Sequence, residues 1–381
     1  MSLVGENITR PTLPIRILQC IPTMTGGGAE RQLVYLCEGL TQLGWDVTVA
    51  LLDLGPNVER LSRAGIHTEV LTHRTNYDPF LVWQLVDLIR RLRPDVVHTW
   101  LPTMNIIGGI AAGLSGTILI GSERNSKPEC QAEWKDRLQM FVLSSWAAAV
   151  VANSTAGLEY LQTSLKGSVA KYVVPNGLPM AEIDAVLPAS RQALGIEREG
   201  EVVLYAGRFD AQKNLSVLFN ALPIVFRAHP QAVAILCGEG FMRGHWIDWA
   251  HQNGLAAKVF FPGYLHDLWA WMKSSDMFVF PSLFEGQPNV VLEAMVCQCP
   301  LVVSDIPEHR EFLDEECALL VPPESPEKIA EAIIKTLDNR HLAALRAANA
   351  KNRVSLYTAE KMVQSYRDIY LRLLEARHTR M

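Results

Sequence analysis

Short, unbroken apolar runs alternate along this chain with longer segments of helical periodicity, and the alternation stops once and starts again. In the first half the runs fall at 15–20, 47–52, 70–71, 96–98, 118–120, 147–152 and 172–174. In the second they fall at 202–206, 232–237, 259–261, 277–280, 301–303 and 318–321. Strands buried on both faces read as continuous apolar runs rather than as alternating ones. Strand–helix alternation then predicts parallel sheets with helices on both sides. The break follows Pro175-Asn-Gly, in a stretch over 176–200 that holds Pro179 and Pro188 and few apolar runs. The expectation is an α/β chain of two doubly wound halves, residues 1–178 and 190–357, followed by an amphipathic tail over 358–381. Ligands of such sheets bind outside the carboxyl ends of the strands. The site is therefore expected in the cleft between the halves.

Charge narrows the partners. Lys and Arg number 35 against 40 Asp and Glu, a net charge of -5, and the basic excess of a nucleic-acid binder is missing. Seven cysteines, at 20, 37, 130, 237, 297, 299 and 317, form no CxxC spacing. That argues against a disulfide framework and for a reducing, cytoplasmic setting. Cys297 and Cys299 form a CxC within an apolar run, where packing is the expected role. No apolar core of a signal peptide stands near the start. One uncharged stretch, 98–122, contains Pro102, Asn105 and five glycines. A buried helix followed by a buried strand accounts for it better than a membrane span of ~20 apolar residues. Any membrane contact is expected from the surface.

The strongest chemical signal is Phe280-Pro-Ser-Leu-Phe-Glu-Gly-Gln-Pro-Asn-Val-Val-Leu-Glu-Ala-Met, which follows a strand and opens a helix. Glu285 falls in the loop and Glu293 about one turn into the helix, with Asn289 and Val290 at its start. Free N–H groups at a helix N-terminus favour an anion. Two carboxylates flanking such a nest offer what a sugar nucleotide needs: acceptors for hydroxyls and donors for a diphosphate. The plainer alternative is a helix cap and a surface acid. In Leu204-Tyr-Ala-Gly-Arg-Phe-Asp-Ala-Gln-Lys-Asn, Arg208 and Lys213 flank a turn that leads into a helix. Two cations at a strand's carboxyl end can neutralise a diphosphate leaving group. No Asp-x-Asp occurs to bind a metal for that task, so no metal site is expected.

Weaker signals lie elsewhere. Thr25-Gly-Gly-Gly-Ala-Glu-Arg stands between strand and helix, where glycines let backbone approach a phosphate or a sugar. It is not a P-loop, because no GKS or GKT follows. Gly238, Gly240 and Gly244 miss a dinucleotide fingerprint by one position. His98 ends a strand on the cleft side, where it either touches substrate or packs.

Taken together these residues resemble glycosyltransferase family 4, the retaining transferases with the two-lobed GT-B fold. The likeness runs from Gly26-Gly-Gly-Ala-Glu to the C-terminal helix. It is strongest over Gly207-Arg-Phe-Asp-Ala-Gln-Lys-Asn and Glu285-Gly-Gln-Pro-Asn-Val-Val-Leu-Glu-Ala-Met, and Val174-Pro-Asn-Gly matches the family's lobe junction. The resemblance implies two Rossmann-like domains facing across a cleft, with the acceptor on the first and the nucleotide on the second. The helix over 358–381 would cross back to brace the first. Arg208 and Lys213 would hold the diphosphate, with backbone N–H groups from Asn289 and Val290. Glu293 would bind the ribose, and Glu285 the hydroxyls of the donor sugar. Gly27 and Gly28 would close over sugar and phosphate, Gly207 and Gly238 would lie along the nucleotide, and Tyr264 and Leu265 would line the base. Many members carry a histidine beside the reacting carbon. Here the segment reads Ile120-Gly-Ser-Glu-Arg-Asn, with Glu123 or Arg124 in that place. The usual Gly-Gly before the late Pro-Glu is replaced by Ser304-Asp-Ile-Pro-Glu.

The reaction implied is metal-independent transfer of a hexosyl or N-acetylhexosaminyl group from a UDP- or GDP-sugar, with retention by front-face displacement and no further cofactor. Arg208 and Lys213 would act where negative charge develops. The acceptor would be a saccharide or a lipid-linked intermediate of polysaccharide or glycolipid assembly. Trp134, Trp146 and the helix between them could serve a lipid, although a core helix is the simpler expectation. A nucleotide-sugar epimerase or hydrolase of the same fold, and a non-catalytic nucleotide-sugar-binding subunit, are the alternatives. The expected location is cytoplasmic, with peripheral membrane contact.

Overall fold

In the computed structural model, which describes residues 14–124, 133–194 and 200–379, the chain builds two parallel sheets. The first holds β1 (Arg16–Cys20), β2 (Asp46–Leu51), β3 (His67–Val70), β4 (Val96–Trp100), β5 (Ile118–Glu123), β6 (Ala147–Ala152) and β7 (Ala170–Val173). Its order is β3-β2-β1-β4-β5-β6-β7. The second holds β8 (Val202–Ala206), β9 (Val233–Cys237), β10 (Val259–Gly263), β11 (Met277–Phe280), β12 (Leu301–Ser304) and β13 (Leu319–Val321), in the order β10-β9-β8-β11-β12-β13. The two doubly wound halves expected from the apolar rhythm are therefore present. In each sheet the order reverses beside the lobe's first strand, at β1/β4 and at β8/β11, and ligands of open α/β sheets bind at such switch points.

Burial explains the rhythm. β4 and β8 are buried at every position, because helices cover both faces of each sheet. Successive strand residues point to opposite faces, so neighbours serve separate cores. Ile17 packs with Leu33 and Val34 of the Gly28–Gln42 helix, whereas Leu18 packs with Leu85 and Ile107 on the other side. The uncharged 98–122 stretch is the end of β4, the helix Leu101–Ser115 and most of β5. Cys297 and Cys299 are both buried, and burial pushes the Cys297 thiol up to about 12.

The terminal helix, Ala359–His378, starts where the Thr358 side chain accepts from Lys361 N at 3.2 Å. Its Met362, Val363, Tyr366, Ile369 and Tyr370 pack into the first lobe's core. The chain thus passes between the lobes twice, and the two passages are bonded to each other. Leu178 N donates to Tyr357 O at 2.9 Å, and Ala359 N donates to Leu178 O at 3.0 Å. Past Asn176 the stretch read as linker contains a short helix, Met180–Ala185, whose Ile183 packs with Leu178 in the second lobe's core.

The terminal helix also corrects one expectation. His98 does not face the cleft. It is fully buried, and its Nδ1 lies 2.7 Å from the Tyr370 hydroxyl and its Nε2 2.7 Å from the Ser122 hydroxyl. Burial, reinforced by the nearby Arg124 charge, holds its pKa well below the ordinary histidine value. The unfolded state therefore takes up a proton near pH ~6.5 that the native state refuses. His98 costs nothing above that pH and destabilises the fold below it, by up to about 1.4 kcal/mol per pH unit. Buried His309 acts in the same direction. Urea unfolding between about pH 5 and 8 should show stability falling below pH ~6.5, with a shallower slope in His98→Gln; equal slopes would clear His98 of that role.

One contact between the lobes is a helix cap supplied in trans. Glu311 of the second lobe accepts from Thr155 N and Ala156 N, both at 2.9 Å, at the start of the first-lobe helix Thr155–Ser164. Charged acceptors at a helix N-terminus are worth about 1 kcal/mol when solvent reaches them. Glu311→Ala should open the cleft and raise the radius of gyration in solution scattering, with little change in helix content by circular dichroism. An unchanged radius would show that this cap does not hold the lobes.

Candidate active site

The carboxyl ends of both sheets face one cleft of about 1240 Å³, lined from both lobes. On the second-lobe side, β8 runs into Gly207 and Arg208 and then into a single turn, Ala211–Lys213. Asp210 caps that turn by accepting from Lys213 N at 3.2 Å. The turn delivers Lys213 inward. Its Nζ lies 2.5 Å from Glu285 Oε1, and both side chains are largely buried. Arg208 behaves differently: its side chain is 65% exposed and meets Asp210 at 3.2 Å. The two cations expected to act together both line the cleft, but one is a buried partner of Glu285 and the other an exposed arm paired with Asp210.

The glycines beside this turn answer to packing. A Cβ on Gly238 would come within 2.1 Å of Gly207 O, and the backbone there takes a positive φ of 127°. The Gly-x-Gly of 238–240 therefore lets the β9 loop cross the β8 loop, which accounts for it without a dinucleotide. Gly207, Gly238, Tyr264 and Leu265 all line the cleft. Tyr264 reaches the opposite loop, since a Cβ on Gly26 would lie 3.0 Å from its hydroxyl.

The Asn289–Val296 helix begins after Pro288 with no side-chain cap. Asn289 spends its own side chain on the first lobe. Its Nδ2 donates to Gly28 O at 3.0 Å, and its Oδ1 accepts from Asn176 Nδ2 at 2.7 Å and from Gln32 Nε2 at 3.4 Å. Gly27, Gly28, Asn289 and Val290 line the cleft together. Glu293 sits just behind, 1% exposed, with Oε1 2.6 Å from Arg31 Nη1.

At the end of β5, Glu123 is buried and accepts from Arg124 N at 2.9 Å and from Gln139 Nε2 at 2.7 Å. Arg124 lies 4.1 Å over the Trp100 ring and donates to Asn176 Oδ1 at 3.1 Å and to the Tyr366 hydroxyl at 2.8 Å. Both line the cleft, and Arg124 also ties the terminal helix to the lobe junction. Asn125 lies outside the described residues.

Several cleft residues escaped the sequence reading. Arg31 stands inside the quoted Gly-rich run, and Asn176 inside Pro-Asn-Gly, yet neither was given a role. Asp136, whose Oδ2 accepts from the Tyr160 hydroxyl at 2.5 Å, and Lys135, 5.1 Å from the Tyr77 ring centroid, line the first-lobe wall with no local motif to announce them. The helix Glu133–Trp146 packs on the core as expected through Met140, Val142 and Leu143, while its other face leaves Trp134 57% and Phe141 65% exposed. Among the described residues no three His, Cys, Asp or Glu side chains gather as metal ligands, and no helix is long and apolar enough to cross a membrane.

Comparison with known proteins matches this arrangement to a family. Residues 26–182 match Glycosyltransferase Family 4, and residues 188–353 match Glycosyl transferases group 1. The chain belongs to the group 1 glycosyltransferases and has the GT-B fold. It is 23% identical over 384 residues, 95% of this chain and 98% of the other, to the Escherichia coli UDP-Gal:alpha-D-GlcNAc-diphosphoundecaprenol alpha-1,3-galactosyltransferase. It is 30% identical over 190 residues, about half (48%) of either chain, to an uncharacterized glycosyltransferase of Methanocaldococcus jannaschii. Anabaena HepE, solved with UDP and glucose, has a TM-score of 0.83 at 22% identity, covering 93% of this chain and 99% of that one.

The Lys213–Glu285 pair can be tested alone. Losing one member of a buried pair leaves an uncompensated charge and costs about 3–5 kcal/mol. Lys213→Met and Glu285→Gln should each lower the urea midpoint, and the double variant should recover part of the loss. A double variant as unstable as the sum of the singles would mean that the two side chains are not energetically coupled.

Proposed function

We propose that the protein transfers a sugar from a nucleoside diphosphate sugar, held by the second lobe, to an acceptor held by the first, with retention at the anomeric carbon and without a metal. The observation that carries this reading is the convergence on one cleft of the Gly26–Gly28 backbone, the buried Lys213–Glu285 pair and the uncapped helix start at Asn289. In it Lys213 and Arg208 stabilise the charge that develops on the departing diphosphate. The Asn289 and Val290 amides and the helix dipole add to that field. Glu285, fixed by Lys213, accepts from donor-sugar hydroxyls, and Glu293 takes the ribose. Glu123 and Arg124 stand where the acceptor and the sugar meet, and the leaving phosphate receives the acceptor's proton.

UDP-sugars are the first donors to test, because HepE was solved with UDP; GDP-sugars are the second. A saccharide on a lipid diphosphate is the proposed acceptor class, on the strength of the E. coli relative's name. The exposed Trp134, Phe141, Phe80 and Trp83 of the first lobe support a peripheral approach to a membrane from the cytoplasmic side.

Thermal unfolding with UDP, GDP, ADP and NAD should show a shift with one nucleoside diphosphate, since a ligand of the folded state stabilises by mass action. With the matching sugar donor and a lipid-linked acceptor, turnover should persist in EDTA, and Lys213→Met should lower kcat by about 100-fold. A shift with NAD alone, or release of free sugar as the sole product whatever the acceptor, would overturn the transferase reading.

A further inference from the structure

Arg31 stands in the first turns of the Gly28–Gln42 helix, directly after the glycine loop, and its guanidinium crosses the lobe boundary to Glu293. Burial works against its charge, and Glu293 overcomes that penalty. The pair is incomplete in a specific way. Glu293 Oε2 and Arg31 Nε are buried, and neither has a hydrogen-bond partner among the described residues. Buried polar atoms are as a rule satisfied, and a carboxylate oxygen left open costs more than a neutral one. Arg31, Asn289 and Val290 line the cleft, and Glu293 lies behind them, about one turn further along the helix that Asn289 opens. The glycine loop and Tyr264 close over the same corner.

We propose that Arg31 is a positioning residue for the donor nucleotide: it clamps Glu293 from the opposite lobe, so that Oε2 is presented to the ribose diol in the closed form. This rests on the reading that a nucleoside diphosphate sugar occupies the cleft. Oε1 is taken by the first lobe, and Oε2 is left for a hydroxyl donor. The guanidinium compensates the carboxylate when the anionic diphosphate arrives nearby. Because the ion pair spans the lobes, a ligand that uses Oε2 favours closure, and closure favours that ligand, as reciprocal linkage requires. A plain interlobe clasp has a different signature. It would weaken every nucleotide equally when removed, whether or not the nucleotide carried ribose hydroxyls.

Titration calorimetry with UDP, GDP and their 2′,3′-dideoxy counterparts separates the two. Whichever diphosphate the wild type binds, Arg31→Met should weaken the ribose form by about tenfold or more, the worth of one charge-assisted hydrogen bond. The dideoxy form should bind the wild type more weakly and lose little further affinity in the variant. Arg31→Lys, which keeps the charge but not the fork, should restore part of the ribose-dependent affinity. Equal losses for ribose and dideoxy forms would overturn the positioning role and leave the donor reading standing. No binding of either diphosphate by the wild type would overturn both. If Arg31→Met does not fold, Arg31→Lys decides: a loss confined to the ribose form supports the proposal, and an equal loss overturns it.

Discussion

The cleft depends on one side-chain amide. Asn289 opens the helix that carries Glu293, and its side chain holds Gly28 O, Asn176 and Gln32 at once. Gln32 in turn donates to Gly177 O at 2.9 Å and accepts from Gly177 N at 2.8 Å. Asn176 N donates to Gln287 Oε1 at 2.6 Å. Four amide side chains thus join the glycine loop, the lobe junction and the start of the second-lobe helix into one buried network. Such a network is costly when half satisfied and rigid when complete. Its geometry sets the distance between the glycine loop and the Lys213–Glu285 pair, and hence whether a single ligand can touch both.

Charge in the cleft is arranged by the same logic. Arg63 and Glu59 pair on the surface with both side chains about seven-tenths exposed (73% and 71%), and such pairs are worth little. Lys213–Glu285 and Arg31–Glu293 are withdrawn from water. Burying ion pairs is a poor route to stability, because desolvation offsets most of the attraction. In the transferase reading proposed above their return is orientation: fixed charges in a dry site need no reorganisation when negative charge develops. Arg208 differs from both pairs in being 65% exposed.

Much of this was legible in the sequence, and the failures share a cause. The apolar runs located nearly every strand, because burial on both faces leaves a local signature. β3 was caught only at its end, since His67–Val70 is a half-exposed edge with no apolar run. The motifs of 207–214 and 285–295 arrived at the cleft because strand, turn and helix are contiguous there. The role of Arg31 and the choice between the two readings of His98 are not legible locally, because their partners, Glu293 and Tyr370, lie in the other lobe's sequence and in the terminal helix. Nothing near either residue records those neighbours. The Glu133–Trp146 helix packs on the core as its apolar residues imply, but those residues occupy two faces and only one of them is covered.

How closure is held follows from what the lobes do not share. The core built on the second sheet and the two built on the first have no residue in common. What spans the boundary is polar: the Asn289 network, Arg31–Glu293, the Glu311 cap, and Arg60, which pairs with Glu182 at 2.7 Å. Opening such an interface exposes groups that water satisfies, so a neutral contact is worth about 0.5–1.5 kcal/mol net and a charged one about 1.5–3 kcal/mol. The two chain passages at Leu178 and Ala359 lie side by side and are bonded to each other. Such an interface can open without exposing an apolar core, and a ligand's differential contacts with the two states set the balance between them. Lobes welded by an apolar core would hold the same cleft residues in place but would admit no ligand to them.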